Sequence, residues 1–337
     1  MSERDDLLAS ITETVRDYQY GQNDPPSHSH VDRWISQFDS EVQVPMLHEM
    51  NHVLKRTYYS REAVTSFLQK RILSATPVAT KHCAFWRSLR LLNIQLGGTS
   101  QSEMLALLDD LLLKNCNFGV EQCGIGDCTK FMYLDDVIFT GNRVLNDIRK
   151  WIEVTRPIKA TLCIATIVSH MGGRHYAQQN IARAAAEAGS SIDVEWWSDI
   201  DLEDRRLFIN DADVLVPTSI PDDTDVINYV ANMQYSPTLR QGTSLGTKSF
   251  FKTPKGRALL EQEFLRAGVR IRRMNHNLSV YQRPLGHSRL DTLGFGSLIV
   301  TFRNCPNNAP LALWAGYPWY PLFPRINNSQ RSNRRYF

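Results

Sequence analysis

Apolar runs alternate with amphipathic segments of helical period between residues 90 and 219, and this alternation restricts the fold more than any other feature. The segments that predict strands are KFMYLDDV, KATLCIATIV, SIDVEWW and DVLVPTS, and those that predict helices are SEMLALLDDLLLKN, NRVLNDIRKWIEV and RHYAQQNIARAAAEAG. Strand, loop and helix repeated in this order predict an α/β fold, a parallel twisted sheet with helices on both faces. Ligands of such sheets bind beyond the carboxyl ends of the strands.

The flanking regions have a different character, and the chain of 337 residues is long enough for more than one compact part. Residues 1–78 carry apolar positions at spacings of three and four, which predicts a helical N-terminal extension. We expect an α/β core over residues 79–225. Residues 226–337 are predicted to form a C-terminal α+β region that completes the ligand pocket and ends in a basic tail.

Charge and hydropathy exclude some classes of protein. The net charge is +3, from 38 basic and 35 acidic residues, which is too balanced to indicate a nucleic-acid-binding protein. No apolar run is long enough to cross a bilayer, and the first residues do not resemble a secretory signal, so we expect a cytoplasmic protein. The tail PRINNSQRSNRRYF carries four arginines and no acid. It is either a solvated terminus or an arm that contacts phosphate groups.

The cysteines lack the paired CxxC spacing of a structural metal site. Cys116, Cys123 and Cys128 flank a glycine-containing loop and have the side chains of metal ligands, but no neighbouring histidine in the sequence completes a set of four. We therefore expect reduced thiols.

The stretch KFMYLDDVIFTGNRV places Asp135 and Asp136 where a buried strand leaves the sheet, directly before a predicted helix. Carboxylates at this edge can accept hydrogen bonds from vicinal hydroxyl groups or reach Mg²⁺ through water. The backbone amides at the helix start favour an anion, and Gly141 permits its close approach. This spacing fits a sugar 5-phosphate. The alternative is that Asp and Thr simply cap a strand-to-helix junction.

The segment YLDDVIFTGNRV also resembles the phosphoribosyl-pyrophosphate loop of type I phosphoribosyltransferases. The resemblance implies a ligand of the 5-phosphoribosyl 1-pyrophosphate class and catalytic roles for Asp135 and Asp136 at the ribose hydroxyls. It places the 5-phosphate against Ile138, Phe139, Thr140, Gly141, Asn142 and Arg143. It further implies Mg²⁺ carried by the substrate, with no direct protein ligand other than water-mediated contact to the two aspartates.

In that family a second loop, one helix earlier, surrounds the pyrophosphate. The segment QLGGTSQ lies at the corresponding place, and its candidate residues are Gly97, Gly98, Thr99, Ser100 and Gln101. The segment departs from the family in having no Lys or Arg. Arg143 stands where the family often has Ser or Thr, so it either supplies a charge to the phosphate or faces solvent.

Near the C-terminus, CPNNAPLALWAGYPWYPLFPR combines proline, aromatic and amide side chains. It is either a loop packed over the core or a wall of the substrate pocket. On the second interpretation Asn304, Asn307, Asn308 and Trp314 contact the acceptor.

Several segments in order, VDRWISQF, LLNIQLGGTSQ, YLDDVIFTG and NCPNNAPLALW, resemble the phosphoribosyltransferase-like effectors of bacterial anti-phage systems, including retron-linked ones. This resemblance implies transfer or cleavage of a glycosidic bond that modifies or depletes a nucleotide. It implies as partners a reverse transcriptase with its noncoding RNA and DNA, or a helix-turn-helix protein. Two other hypotheses stay open: a catalytically silent ribose-phosphate sensor, and an adaptor subunit of a defence complex with nucleic acid.

Overall fold

The structure is a computed structural model that describes residues 2–19, 21, 24–74 and 82–325. Its residues form two compact units, one made of Met1–Arg61 with Glu203–Phe337 and the other of Glu62–Leu202. The predicted division at residues 78 and 225 stays a prediction, because compact packing and independent folding are different properties. The arginines of the predicted basic tail after Arg325 lie outside the described residues.

The unit Glu62–Leu202 contains a parallel sheet, which confirms the predicted α/β class. Its strands are β2 (Arg90–Leu92), β3 (Lys130–Leu134), β4 (Val137–Ile138), β5 (Lys159–His170) and β6 (Ser191–Leu202). Its helices are α4 (Arg61–Ser74), α5 (His82–Arg87), α6 (Ser100–Cys116), α7 (Asn142–Thr155) and α8 (Met171–Glu187). Strand β2 pairs with β3, β3 and β4 both pair with β5, and β6 pairs with β5, all in parallel.

Strands β3 and β4 follow each other along β5 without a change of register. Leu134 lies opposite Ala165, and Val137 lies opposite Val168. Between them Asp135 donates its amide to the Ala165 carbonyl, and the Asp136 carbonyl accepts from the Ile167 amide. The two aspartates therefore occupy a short interruption within one long strand.

One face of the sheet is covered by α7 and α8. Side chains from β3 and β5, including Phe131, Tyr133, Leu162 and Ile164, pack against apolar side chains of these two helices. Helix α7 contributes Val144, Leu145, Ile148, Trp151 and Ile152, whose spacing of three and four makes one apolar stripe. This packing fixes the start of α7 against the end of β4.

The other unit is mainly helical. It contains α1 (Glu3–Thr14), α2 (His28–Ile35), α3 (Ser40–Thr57), α9 (Thr224–Ala231), α10 (Pro254–Met274) and α11 (Leu311–Trp314). Its short strands are β1 (Tyr58–Tyr59), β7 (Gln282–Arg283), β8 (Gly286–His287) and β9 (Val300–Thr301). Aromatic rings of Trp34, Phe38, Phe264 and Trp319 pack together in its core.

The strand prediction for DVLVPTS is wrong. Residues Val214 and Leu215 are buried, but their neighbourhood is irregular. The Leu215 amide donates to the Gly296 carbonyl, and the Val216 amide donates to the Glu261 carboxylate. The backbone of this segment therefore bonds to two separate parts of the chain and not to one neighbouring strand. Helix α8 begins at Met171, three residues before the predicted helix RHYAQQNIARAAAEAG.

The prediction of reduced thiols is wrong for one pair, since Cys83 and Cys116 form a disulfide. Cys123, Cys128, Cys163 and Cys305 are free thiols. Over the residues that the structure describes, no helix has the length and apolarity needed to span a membrane.

Candidate functional site

Asp135 and Asp136 differ in burial although they are neighbours. Asp135 is 4% exposed, whereas Asp136 is half-buried. The Oδ1 atom of Asp135 accepts the Asp136 amide at 2.9 Å, and Oδ1 of Asp136 accepts the Val137 amide at 2.8 Å. These contacts of side chain with the following backbone hold the interruption between β3 and β4 and leave Asp136 as the more accessible carboxylate.

Burial, followed by the negative charge of Asp136, raises the pKa of Asp135 to about 7, although the Ser100 hydroxyl and Arg143 act in the opposite direction. A buried carboxyl group that titrates near neutral pH is common at functional sites. The pair also has the carboxylate oxygens and the adjacent like charges that favour a divalent cation. The residues present therefore fit the Mg²⁺ that the resemblance implies.

The residue before helix α7 has no side chain that could cap the helix. Gly141 is the N-cap, with φ of 74°, and the first turn holds no acidic side chain. Within the described residues, the backbone amides of Thr140, Asn142 and Arg143 donate to no protein oxygen. The start of α7 is thus an uncapped helix terminus, where the amides and the helix dipole favour an anion.

A second helix start touches this turn. A Cβ atom on Gly173, in the first turn of α8, would lie 1.8 Å from the Phe139 carbonyl oxygen, and a Cβ on Gly141 would lie 2.1 Å from the Gly173 carbonyl oxygen. His170, the residue before α8, is fully buried and donates through Nδ1 to the Ile138 carbonyl at 2.8 Å. Burial lowers the pKa of His170 to about 4, so the ring is neutral at pH 7. Together these contacts fix residues 138 to 141.

The predicted pyrophosphate loop connects β2 to α6, at the carboxyl edge of the same sheet. Gly97 and Gly98 are exposed, and Gly98 has φ of +95°. The Thr99 hydroxyl donates to Glu103 at 2.6 Å. Gln101 is fully buried, and its Oε1 accepts the amide of Ile94 at 2.6 Å, so its side chain holds the start of the loop.

The structure brings the two predicted loops together through polar side chains. The Ser100 hydroxyl acts to lower the pKa of Asp135, and it accepts a hydrogen bond from the Gln95 side chain at 2.8 Å. Asp147, which is 2% exposed on α7, accepts the amide of Leu96 at 3.0 Å through one oxygen and the Tyr133 hydroxyl at 2.8 Å through the other. The first loop is therefore tied to α7, the helix that follows the second loop.

Sequence reasoning missed Tyr133 and Asp147. The signal for Asp147 was present, because it is an acid within the apolar stripe of α7, three residues after Val144 and one before Ile148. Burial raises its pKa, and the hydrogen bonds from Leu96 and Tyr133 oppose that rise. Burial is also the first cause that raises the pKa of Tyr133, followed by the charges of Asp135 and Asp147.

Arg143 is the cation that reaches the first loop. Its Nη1 atom lies 2.9 Å from the position that a Cβ on Gly98 would take. The side chain is exposed, and it makes no hydrogen bond or ion pair with any residue that the structure describes. The side chain thus lies beside the first loop and is exposed to solvent, and its role at the phosphate stays a prediction.

The acceptor-side candidates belong to the other compact unit. Asn304 accepts from the Gln19 side chain at 3.2 Å, and Asn308 donates to the His287 carbonyl at 3.1 Å. Trp314 is 8% exposed and donates its indole N–H to the Ala309 carbonyl at 2.8 Å. Asn307 is half-buried. Its backbone carbonyl accepts the His287 amide at 2.7 Å. All four thus have contacts within their own unit, and a role in acceptor binding stays a prediction.

A parallel sheet with a strand interruption of two acids and an uncapped helix start defines a phosphoribosyltransferase-like domain. The comparison with family models agrees, because residues 31–325 match PRTase-CE. The chain belongs to the PRTase-CE family. No curated protein matches the chain, and no solved structure matches it.

The raised pKa of Asp135 predicts how stability depends on pH. The unfolded chain loses this proton near 3.8 and the folded chain near 7, so the folded state binds more protons between these values. The free energy of unfolding should therefore fall as the pH rises from about 4 to about 7. In Asp135→Asn this fall should shrink by several kcal/mol, since each unit of difference between the folded and unfolded pKa corresponds to about 1.4 kcal/mol.

Urea unfolding at pH 5 and pH 8 measures this difference. Asp193→Asn, which changes an exposed acid on β6, is the matched control and should keep the wild-type dependence. Equal pH dependence in Asp135→Asn and wild type would contradict the assignment of the raised pKa to Asp135.

Proposed function

We propose that this protein binds a 5-phosphoribosyl ligand, either the 1-pyrophosphate or a nucleotide, and transfers or cleaves its glycosidic bond. One observation carries the proposal: the aspartate pair and the uncapped start of α7 are separated by only the five residues 137 to 141. Carboxylates that can bind hydroxyl groups therefore lie beside a helix terminus that can bind a phosphate. A phosphorylated pentose carries both of these groups.

Each residue of the turn has a role in this proposal. The 5-phosphate lies against the amides of residues 138 to 143, where the Thr140 hydroxyl adds a donor. Asp136, the more accessible acid, accepts the ribose hydroxyls, and Asp135 supports it from beneath. The loop at residues 97 to 101 surrounds the group on the anomeric carbon.

The reaction would depend on positioning and electrostatics rather than on a protein base. Mg²⁺, held by the substrate and reached by Asp135 and Asp136 through water, would supply positive charge to the leaving group. The aspartates orient the ribose and stabilise positive charge that develops on its ring. The fixed turn holds the sugar so that little freedom is lost on the way to the transition state.

The direct test is calorimetric titration of the protein with 5-phosphoribosyl 1-pyrophosphate and Mg²⁺, followed by metabolite profiling of cells that express it. We expect binding, and a change in one nucleotide pool that Asp135→Asn with Asp136→Asn abolishes. Absence of binding by every 5-phosphoribosyl compound would contradict the proposal.

The burial of Asp135 favours a second candidate function, that of a catalytically silent ribose-phosphate sensor. A buried acid whose carboxylate accepts the Asp136 amide can shape a binding site without entering a reaction. The same experiment separates the two functions. A sensor binds the ligand and leaves every nucleotide pool unchanged, whereas an enzyme changes at least one.

We also propose that the protein acts in the cytoplasm as the effector, or as an adaptor, of a bacterial anti-phage system. The support is the resemblance of several segments to defence effectors and membership of the PRTase-CE family. A reverse transcriptase with its noncoding RNA and DNA, or a helix-turn-helix protein, would be the partner that holds it in check. Phage plating on cells that carry the gene with its neighbours tests this role, and loss of protection in the double aspartate variant is the expected result.

Arg143 yields a prediction on the pyrophosphate side of the ligand. Because its guanidinium lies beside Gly98 and the loop at residues 95 to 101 has no Lys or Arg, Arg143→Gln should weaken pyrophosphate binding about tenfold. Binding of ribose 5-phosphate should change less. Calorimetry with the two ligands measures the difference, and Arg149→Gln, an exposed position on the same helix, serves as control. An equal loss in both arginine variants would refute a specific role for Arg143.

A further inference from the structure

Three metal-binding side chains meet at a place that the proposed ligand site does not use. These are His82, Cys83 and Cys116, whose ligand atoms all lie within 4.8 Å of one another. All three side chains are half-buried, so solvent and ions can reach them. The two sulfur atoms are joined in the disulfide of this structure.

The secondary structure also brings the three side chains to one place. His82 and Cys83 are the first residues of α5, and Cys116 is the last residue of α6. The Cα atoms of the two cysteines are 5.5 Å apart. Because these helices pack against each other within one compact unit, we expect both thiols to stay beside the imidazole when the bond is reduced.

We propose that the reduced chain binds a zinc-class divalent cation through the thiolates of Cys83 and Cys116 and the imidazole of His82. Two thiolates and one imidazole are ligands that such borderline-soft cations prefer, and water completes the tetrahedron. An external dithiol first reduces the disulfide and is itself oxidised to a disulfide. Each cysteine thiol then releases its proton to solvent as its sulfur binds the cation.

This site would work in two exclusive states, because the same sulfur atoms form either the disulfide or the metal bonds. The ligands also differ in kind from the aspartate pair, whose oxygens suit Mg²⁺. Helix α6 has 17 residues, so its two ends are about 25 Å apart. Cys116 lies at one end and Ser100 at the other, so the cation takes no direct part in the chemistry of the phosphate loops.

Metal titration of the full chain in its two redox states tests the proposal. We expect the chain reduced with a phosphine to bind one Zn²⁺, and the oxidised chain to bind at least about tenfold more weakly. Cys83→Ser and Cys116→Ser should each lose the site, and His82→Ala should weaken it. Cys128→Ser, which removes a half-exposed free thiol, is the matched control and should bind as wild type does. Co²⁺ in place of Zn²⁺ should give the absorption of thiolate-bound tetrahedral cobalt.

Thiol protection in the wild-type chain gives the same answer without any variant. Zn²⁺ should protect Cys83 and Cys116 of the reduced chain from alkylation and leave Cys128 reactive, as mapped on peptides by mass spectrometry. The proposal is overturned if the reduced chain binds no Zn²⁺, if the oxidised chain binds it equally well, or if Zn²⁺ leaves both cysteines unprotected.

Discussion

Asp136→Asn should reduce the affinity for ribose 5-phosphate about a hundredfold or more. The physical reason is the loss of two charge-assisted hydrogen bonds from the ribose hydroxyls, each worth about 1.5–3 kcal/mol. Asp136 is the half-buried member of the pair, and its position is fixed by the bond that its Oδ1 atom accepts from the Val137 amide. Calorimetric titration at pH 8, where Asp135 is ionised as well, measures the loss directly.

Two further variants make this result interpretable. Asp193→Asn, an exposed acid on β6 of the same sheet, should bind as wild type does. Asp135→Asn should bind more weakly than wild type but better than Asp136→Asn, because the Asp135 side chain holds the turn by accepting the Asp136 amide. If Asp136→Asn binds ribose 5-phosphate with wild-type affinity, the carboxylate does not contact the sugar.

Gly173→Ala should destabilise the protein by about 3 kcal/mol, the upper part of the usual range for overpacking a close contact. The new Cβ would lie 1.8 Å from the Phe139 carbonyl oxygen and 2.9 Å from the Gly141 amide nitrogen. Both atoms belong to backbone, so no flexible side chain can move aside. The start of α8 must then separate from the turn at residues 139 to 141, and phosphate binding should weaken with stability. Urea unfolding and ribose 5-phosphate titration measure the two effects.

The control for this prediction is Gly316→Ala, because a Cβ on Gly316 would meet nothing within 4 Å. That variant should keep the wild-type stability. A Gly173→Ala protein as stable as wild type would show that the two helix starts are not held in contact, and the account of a rigid phosphate turn would lose its main structural support.

The sequence was sufficient to predict the parallel sheet and the position of the turn. Both depend on local patterns: buried strands, apolar stripes on helices, and two acids followed by Thr140 and Gly141. These signals lie within a few residues of one another, so no long-range contact is needed to recognise them. The same locality explains why the predicted helix begins three residues after the true start of α8 at Met171, since the adjacent Gly172 and Gly173 ordinarily indicate a loop.

Contacts between distant residues could not be predicted in this way. The Asp147 carboxylate accepts the amide of Leu96, 51 positions earlier in the chain. Gly141 has no room for a side chain, because the Gly173 carbonyl occupies the space. The segment DVLVPTS has the composition of a strand, yet Val216 donates its amide to the buried carboxylate of Glu261. Arg240 and Arg257 also bind that carboxylate, and such a buried charge cluster leaves no local pattern in the sequence.

The most direct measurement of the central claim is a crystal structure of the protein with ribose 5-phosphate. The account predicts phosphate oxygens within hydrogen-bond distance of the amides between Thr140 and Arg143, with the ribose hydroxyls on Asp136. A sugar phosphate bound elsewhere, with the start of α7 covered by protein atoms, would contradict it.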